Sequence, residues 1–171
     1  VAASGLHNLG LKSNGSIVAW GCLYPPYDPG ECDVPAPNTG FVAIAVGDHV
    51  SLGLKNDGSI VAWPSSYVVP APNADFVAIA AGHQHGMGLK ANGSIVALFS
   101  VPIILPAPNA GFIDVAAGEY HSLGLRAEGA IFAWGDNSSG QPNVPAPNVN
   151  IIAVAAGHNH SLGLKADGSI A

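Results

Sequence analysis

Charge is the first thing this chain lacks. Only 9% of its 171 residues are Asp, Glu, Lys or Arg, against about a quarter in ordinary globular proteins. The five cations (Lys12, Lys55, Lys90, Arg126, Lys165) each stand directly after a Leu-Gly-Leu or Met-Gly-Leu triplet, so they make no basic patch beyond that repetition. Nucleic-acid binding draws its affinity from clustered cations, and it is excluded from the expected partners. Long apolar runs are also missing. Residues of apolar type make up 49% of the chain, yet no uninterrupted stretch approaches the roughly 20 residues that a bilayer-spanning helix needs. No membrane span is expected. There is no initiating Met and no basic-then-apolar leader, so the chain reads as a processed mature protein or a fragment. The 22 glycines sit at strand ends and hairpins, not in a phosphate-cradling loop, and no nucleophile elbow occurs. Nothing in the chain specifies an enzyme or a cofactor.

What the chain has is repetition. Five copies of a Leu-Gly-Leu-Lys core start at Leu9, Leu52, Met87, Leu123 and Leu162, at steps of 43, 35, 36 and 39 residues. Trp20, Trp63, Leu98 and Trp134 each follow a core by 11 residues, and each Pro-Ala-Pro-Asn segment, opening at Val34, Val69, Leu105 or Val144, precedes the next core by 18. All length variation therefore falls between the Trp position and the Val-Pro. A rigid unit with one elastic connection is the signature of a propeller, solenoid or array, with its insertions on one face.

One unit supplies four short elements. Phe41–Gly47 and its echoes near 1, 76, 112 and 151 end in residues with almost no side chain, which suits backbones crowding beside a narrow axis. His-Ser-Leu-Gly-Leu-Lys alternates large and small residues with the period of a strand. The pairs Asn14-Gly15, Asp57-Gly58, Asn92-Gly93, Glu128-Gly129 and Asp167-Gly168 predict two-residue type I′ hairpins. Ser-Ile-Val-Ala-Trp is β-branched and aromatic, as strands are. Val-Pro-Ala-Pro-Asn, with two prolines, predicts an outer edge strand. The expected architecture is all-β: propeller blades of four-stranded antiparallel meanders, about four and a half of them, in one repeat domain spanning 1–171. A β-solenoid fits less well, because its coils rarely carry a hairpin in each repeat.

The stretch Ala116-Ala117-Gly118-Glu119-Tyr120-His121-Ser122-Leu123-Gly124-Leu125-Arg126, followed by residues 129–141, resembles the regulator of chromosome condensation repeat. The resemblance covers the whole chain. Repeats this short are closest to bacterial secreted members, such as a propeller-type β-lactamase inhibitor. What this implies is a closed form of seven blades and a recognition role. The chromatin-bound relative implies a third reading, a guanine-nucleotide exchange factor, against which the acidic balance (net charge −6) and short loops speak.

Candidate residues divide into repeated and unrepeated ones. His7, His85, His121 and His160 recur at one repeat position, so a structural role as a bond to a neighbouring blade is expected for them rather than metal ligation. His83 and His158 lie two residues earlier, but no carboxylate is regularly placed beside them in sequence. Asp48, Asp75, Asp114, Glu119 and Asp136 read as scattered over unrelated repeat positions. Asn-x-Ser sequons at Asn14, Asn92, Asn137 and Asn159 matter only in a eukaryotic secretory setting. Cys22 and Cys32 lie in the longest connection. A disulfide there implies an oxidising compartment; the alternative is two free thiols sharing a loop.

The elastic connections carry Tyr24, Tyr27, Asp28, Tyr67, Phe99, Asp136 and Asn137. These residue types suit adaptable binding loops on a rigid scaffold. The function expected is a non-enzymatic, secreted or surface-exposed module that binds a protein or glycan through those residues. A fibre or surface-layer unit that self-associates head to tail through its terminal blades is the structural alternative.

Overall fold

The computed structural model describes residues 1–22, 30–83, 85–99 and 104–171, and no helix occurs among them. Among the described residues, fourteen strands form five antiparallel sheets, each from consecutive elements. The first holds β1 (Ala2–Ala3), β2 (Asn8–Leu11) and β3 (Ile17–Trp20). The second holds β4 (Phe41–Val46), β5 (Ser51–Lys55) and β6 (Ile60–Trp63), and the third β7 (Phe76–Ala81), β8 (Gly86–Lys90) and β9 (Ile95–Leu98). β10 (Phe112–Ala117), β11 (His121–Arg126) and β12 (Ile131–Gly135) make the fourth; β13 (Ile151–Ala156) and β14 (Ser161–Lys165) make the fifth. A bridge from Leu164 to Ile170 marks where a third strand begins in the last sheet. The terminal segments thus pair within their own blades. This is β-propeller architecture, as the repeat pattern requires.

Two details differ from the sequence reading. The hairpins are not type I′: at each one only the glycine is left-handed (Gly15 at φ 77°, Gly58 at 80°, Gly93 at 79°). Gly58 N–H donates to Lys55 O at 3.0 Å and Lys55 N–H to Ser59 O at 2.8 Å, which makes a type I turn followed by a left-handed glycine, a three-residue connection. The Asx residue instead works through its side chain: Asp57 Oδ1 accepts from Ser59 N–H at 2.9 Å and from the Ser59 hydroxyl at 2.6 Å.

The second difference is the fourth element. The described sheets stop at three strands, because Pro-Ala-Pro has too few N–H groups to form a ladder. Its closing Asn supplies the pairing instead. Asn73 Oδ1 accepts from Ile60 N–H and its Nδ2 donates to Ile60 O, both at 2.8 Å. Asn38, Asn109 and Asn148 clamp Ile17, Ile95 and Ile131 in the same way.

The core lies between blades. Leu9, Leu52, Met87 and Leu123, the first residues of the repeated triplet, are all fully buried. The triplet's central glycine is explained by the preceding strand: a Cβ on Gly53 would stand 2.5 Å from Phe41 Cε1. Lys55 then closes over the Phe41 ring, with Nζ 4.8 Å from its centroid, and Lys90 and Arg126 repeat this on Phe76 and Phe112. Trp63 is 2% exposed and packs with Leu9 and Ile17 of the first blade and with Phe41 of its own. Leu98 takes the equivalent place at 0%. Trp20, at the same repeat position, is 47% exposed because no blade precedes its own among the described residues.

Candidate functional site

Antiparallel pairing sorts the connections into two ends. Phe41 pairs with Lys55, while Val46 pairs with Ser51 and Ser51 with Trp63. The glycine hairpins and the basic residues therefore share one end. The turns after β4, β7, β10 and β13 share the other end with the variable connections. The cations segregate accordingly. Lys12, Lys55, Lys90, Arg126 and Lys165 all stand at the hairpin end. Among the described residues, Glu31, Asp33, Asp48, Glu119 and Asp136 stand at the loop end, which holds no Lys or Arg.

At the centre of the loop end, the first strands converge on a cleft of about 470 Å³. Its walls are the small residues ending each first strand. A Cβ on Gly47 would overlap Gly82 O, and one on Gly82 would overlap Gly118 O, so glycine alone permits this approach. The residue after this position (Ser4 in the first unit, glycine in the others) crowns the cleft, and going round the blades it reads Gly5, Asp48, His83, Glu119, His158. Acid and imidazole alternate across the junctions. His83 Nδ1 lies 2.8 Å from Asp48 Oδ2, and His158 Nε2 lies 2.5 Å from Glu119 Oε2. Backbone bonds continue the ring: His83 N–H to Glu119 O and Glu119 N–H to His158 O, each 3.2 Å. The His83 ring meets His49 at 5.1 Å and Tyr120 at 5.3 Å, both edge-on. Tyr120 is 53% exposed. Desolvation, with the Glu119 carboxylate beside it, pushes its phenol above the ordinary range.

Beneath this crown lies a second ring of histidines. His7 Nε2 bonds Ser51 Oγ at 2.6 Å, His85 Nε2 bonds Ser122 Oγ at 3.1 Å, and His121 Nε2 bonds Ser161 Oγ at 3.0 Å, each reaching the next blade. Ser51 Oγ–H donates onward to Glu31 O, and Ser161 Oγ–H to Gln141 O at 2.9 Å. The hydroxyl proton is thereby committed, so His7 and His121 donate from Nε2 and leave Nδ1 unprotonated; both Nδ1 atoms are buried without a partner. Burial lowers the pKa of His7, His85 and His121, which keeps them neutral. At the remaining junction both members of the pair are replaced together. Val50 stands for His and Gly86 for Ser, and Phe99 fills the space, since a Cβ on Gly86 would lie 2.9 Å from its ring.

The loop residues singled out from sequence fall into three groups. Tyr24, Tyr27 and Asp28 lie outside the described residues. Tyr67 and Phe99 form an edge-on pair with centroids 4.7 Å apart, packed against the core around Leu52, Ile60 and Leu98. Phe99 does so at φ 78°, where the first and fourth blades have Gly21 and Gly135; its packing holds a conformation that glycine adopts freely. Burial raises the Tyr67 pKa. Asp136 is used inside its own loop: it accepts from the Ser138 hydroxyl at 2.6 Å and from Gln141 Nε2 at 3.0 Å, and the Ser138 bond lowers its pKa. Asn137 contacts Asn143. Cys22 and Cys32 form a disulfide, with Cα atoms 6.0 Å apart. It joins the start of the first loop to the turn that carries Glu31.

The crown of the cleft was missed in the sequence. Asp48 and Glu119 are not scattered; they share one repeat position with His83 and His158. The signal was available by aligning units on the glycine that ends each first strand. Reading along a single unit hid it, because each imidazole meets its carboxylate across a blade junction, 35 or 39 residues away. Among the described residues, no group of three or more His, Cys, Asp or Glu is arranged to hold a metal.

Residues 112–141 match the family model of the Regulator of chromosome condensation (RCC1) repeat. Curated proteins show no match to this sequence. Solved structures do. The CRINKLY WD40 ectodomain of the Arabidopsis thaliana receptor kinase ACR4 superposes with a TM-score of 0.72 at 21% identity, over 96% of this chain and 58% of that one. The ectodomain of the Physcomitrella patens receptor kinase CR4 gives 0.79 at 20%, over 96% and 48%. Prp20p from Saccharomyces cerevisiae, described with its binding properties to Gsp1p and histones, gives 0.79 at 20%, over 99% and 55%. The chain thus spans about half the length of these proteins.

Proposed function

From its place among RCC1-type β-propeller repeat proteins, we propose that this chain is a non-enzymatic recognition module that binds a protein through its loop end, in an extracellular setting. One observation carries the reading: the loop end gathers the variable connections, the carboxylate–imidazole crown and the exposed Tyr120 on a scaffold whose opposite end is uniform from blade to blade. A rigid frame with variation confined to one face is how repeat scaffolds present binding surfaces. The disulfide supports an oxidising compartment, and two of the structural neighbours are receptor ectodomains. Prp20p, in turn, is described as binding other proteins. A glycan remains the second kind of ligand for such a face. An exchange-factor role is disfavoured by the all-acidic loop end.

Capture from an extract of the source organism tests the assignment. Immobilised wild-type chain is compared with Tyr120→Ala/His158→Ala on the loop end and with Asp57→Asn/Asp167→Asn on the hairpin end. A protein retained by wild type and by the hairpin variant, and lost by the loop-end variant, is the expected result. Loss only in the hairpin variant would move the site to the other face.

A further inference from the structure

The cleft at the loop end combines features that occur together nowhere else among the described residues. It is open space of about 470 Å³, large enough for a side chain of a partner. Asp48 and Glu119 stand on its rim with side chains 33% and 15% exposed, in different blades. Beside them the His83 ring lines the cleft, held edge to edge by the neighbouring rings of His49 and Tyr120. Every Lys and Arg of the chain is at the far end, already stacked on a phenylalanine or bonded to a proline-segment carbonyl in the three middle blades. No Lys or Arg of this molecule is placed at the rim, whose two carboxylates meet the imidazoles of His83 and His158.

We infer that this cleft receives an arginine side chain of the protein partner, with Asp48 and Glu119 as its anionic contacts and the His83 ring as its stacking wall. The inference rests on the loop-end reading above and adds the partner's chemistry. Arginine fits better than lysine for two reasons. Its planar guanidinium matches a carboxylate with two parallel hydrogen bonds, and it lies against aromatic faces as a cation. A lysine ammonium would satisfy the charge and leave the His83 ring unused. The imidazoles help as well: His83 and His158 each engage one carboxylate oxygen, which fixes the orientation of the carboxylate.

The test uses the whole chain and an acetylated hexa-arginine peptide, with hexa-citrulline and hexa-lysine peptides of equal length as comparisons. Titration calorimetry at low salt gives affinities, and NMR locates the contact through the Tyr120 and His83 ring resonances. The expected order is arginine, then lysine, with citrulline silent. Asp48→Asn/Glu119→Gln should weaken the arginine peptide at least tenfold, while Asp57→Asn/Asp167→Asn, which removes the same charge from the hairpin end, should change it less than twofold. Should the double rim variant fold poorly, Glu119→Gln alone with the wild-type NMR footprint decides. Equal losses in both double variants, or shifts that avoid Tyr120 and His83, would overturn the inference and leave attraction by net charge only. Absence of binding would overturn it too. Neither result bears on partner capture by the loop end, which is read separately.

Discussion

Replacing Asn73 by Ala removes both hydrogen bonds that stand in for a fourth strand in the second blade. Its amide meets Ile60 N–H and Ile60 O at 2.8 Å each, and Ile60 is 2% exposed within the cluster of Leu52, Leu54 and Phe76. An average hydrogen bond contributes about 1 kcal/mol net, and a buried group left unpaired costs about 1–3 kcal/mol. The Ile60 backbone is partly buried, so water replaces the amide incompletely. The expected loss is roughly 2–4 kcal/mol, a sizeable share of the roughly 5–15 kcal/mol that holds a domain together. In a chain of this size it lowers the melting midpoint by about 5–15 °C. Asn73→Asp separates the two bonds. The carboxylate still accepts from Ile60 N–H but sets a negative oxygen against Ile60 O, so the aspartate variant should be no more stable than the alanine one at neutral pH. Urea unfolding measures the loss, and hydrogen exchange at the Ile60 amide localises it. A change under about 0.5 kcal/mol in Asn73→Ala, or unchanged protection of Ile60, would refute the claim that this side chain substitutes for strand pairing.

Stability should fall with acidification because burial holds the folded pKa of His7, His85 and His121 below their ordinary 6.5. The unfolded chain then binds protons that the folded chain refuses, so this stability is fully present above 6.5 and is lost as pH falls from there through the lowered folded pKa. Urea midpoints at pH 8 and pH 5 check the direction, and His121→Gln, which can still donate to Ser161, should flatten the slope; an equal slope in that variant would remove His121 from the account. Trp63→Ala should cost about 3–5 kcal/mol, as for other large core residues, whereas Trp20→Ala, half exposed, should cost under about 1 kcal/mol; thermal melts giving equal losses would contradict the inter-blade packing. Intact mass before and after reductant should differ by the two hydrogens of the Cys22–Cys32 bond, with the reduced chain less stable by a few kcal/mol. Two free thiols in unreduced protein would count against both the bond and the oxidising compartment.

The repeat determined the architecture before any coordinates. Leu9, Leu52, Met87 and Leu123 share one position and the structure buries all four completely, while Leu162, at that position in the last sheet, is 42% exposed. Constant spacing on either side of the Trp-to-Val connection placed all variable loops at one end, since an even number of strand reversals returns the chain there. Turn chemistry was less legible. Asn-Gly and Asp-Gly suit two hairpin geometries, and only the backbone shows that the glycine alone is left-handed. The proline-rich element carried its own exclusion from a ladder, but not the replacement, because nothing local says that an Asn amide will reach an isoleucine 13 residues back. Tyr67 and Phe99 read as exposed anchors and instead pack on the core, a choice made by Gly86 and Val50, which open the space they fill. The crown of Asp48, His83, Glu119 and His158 belongs wholly to tertiary structure. Its hydrogen bonds form between blades, and a single unit contains only half of each pair. Sequence periodicity determines what every blade does for itself; what adjacent blades do to one another depends on the close approach at the axis, where glycine lets backbones touch and brings residues of successive units within bonding distance.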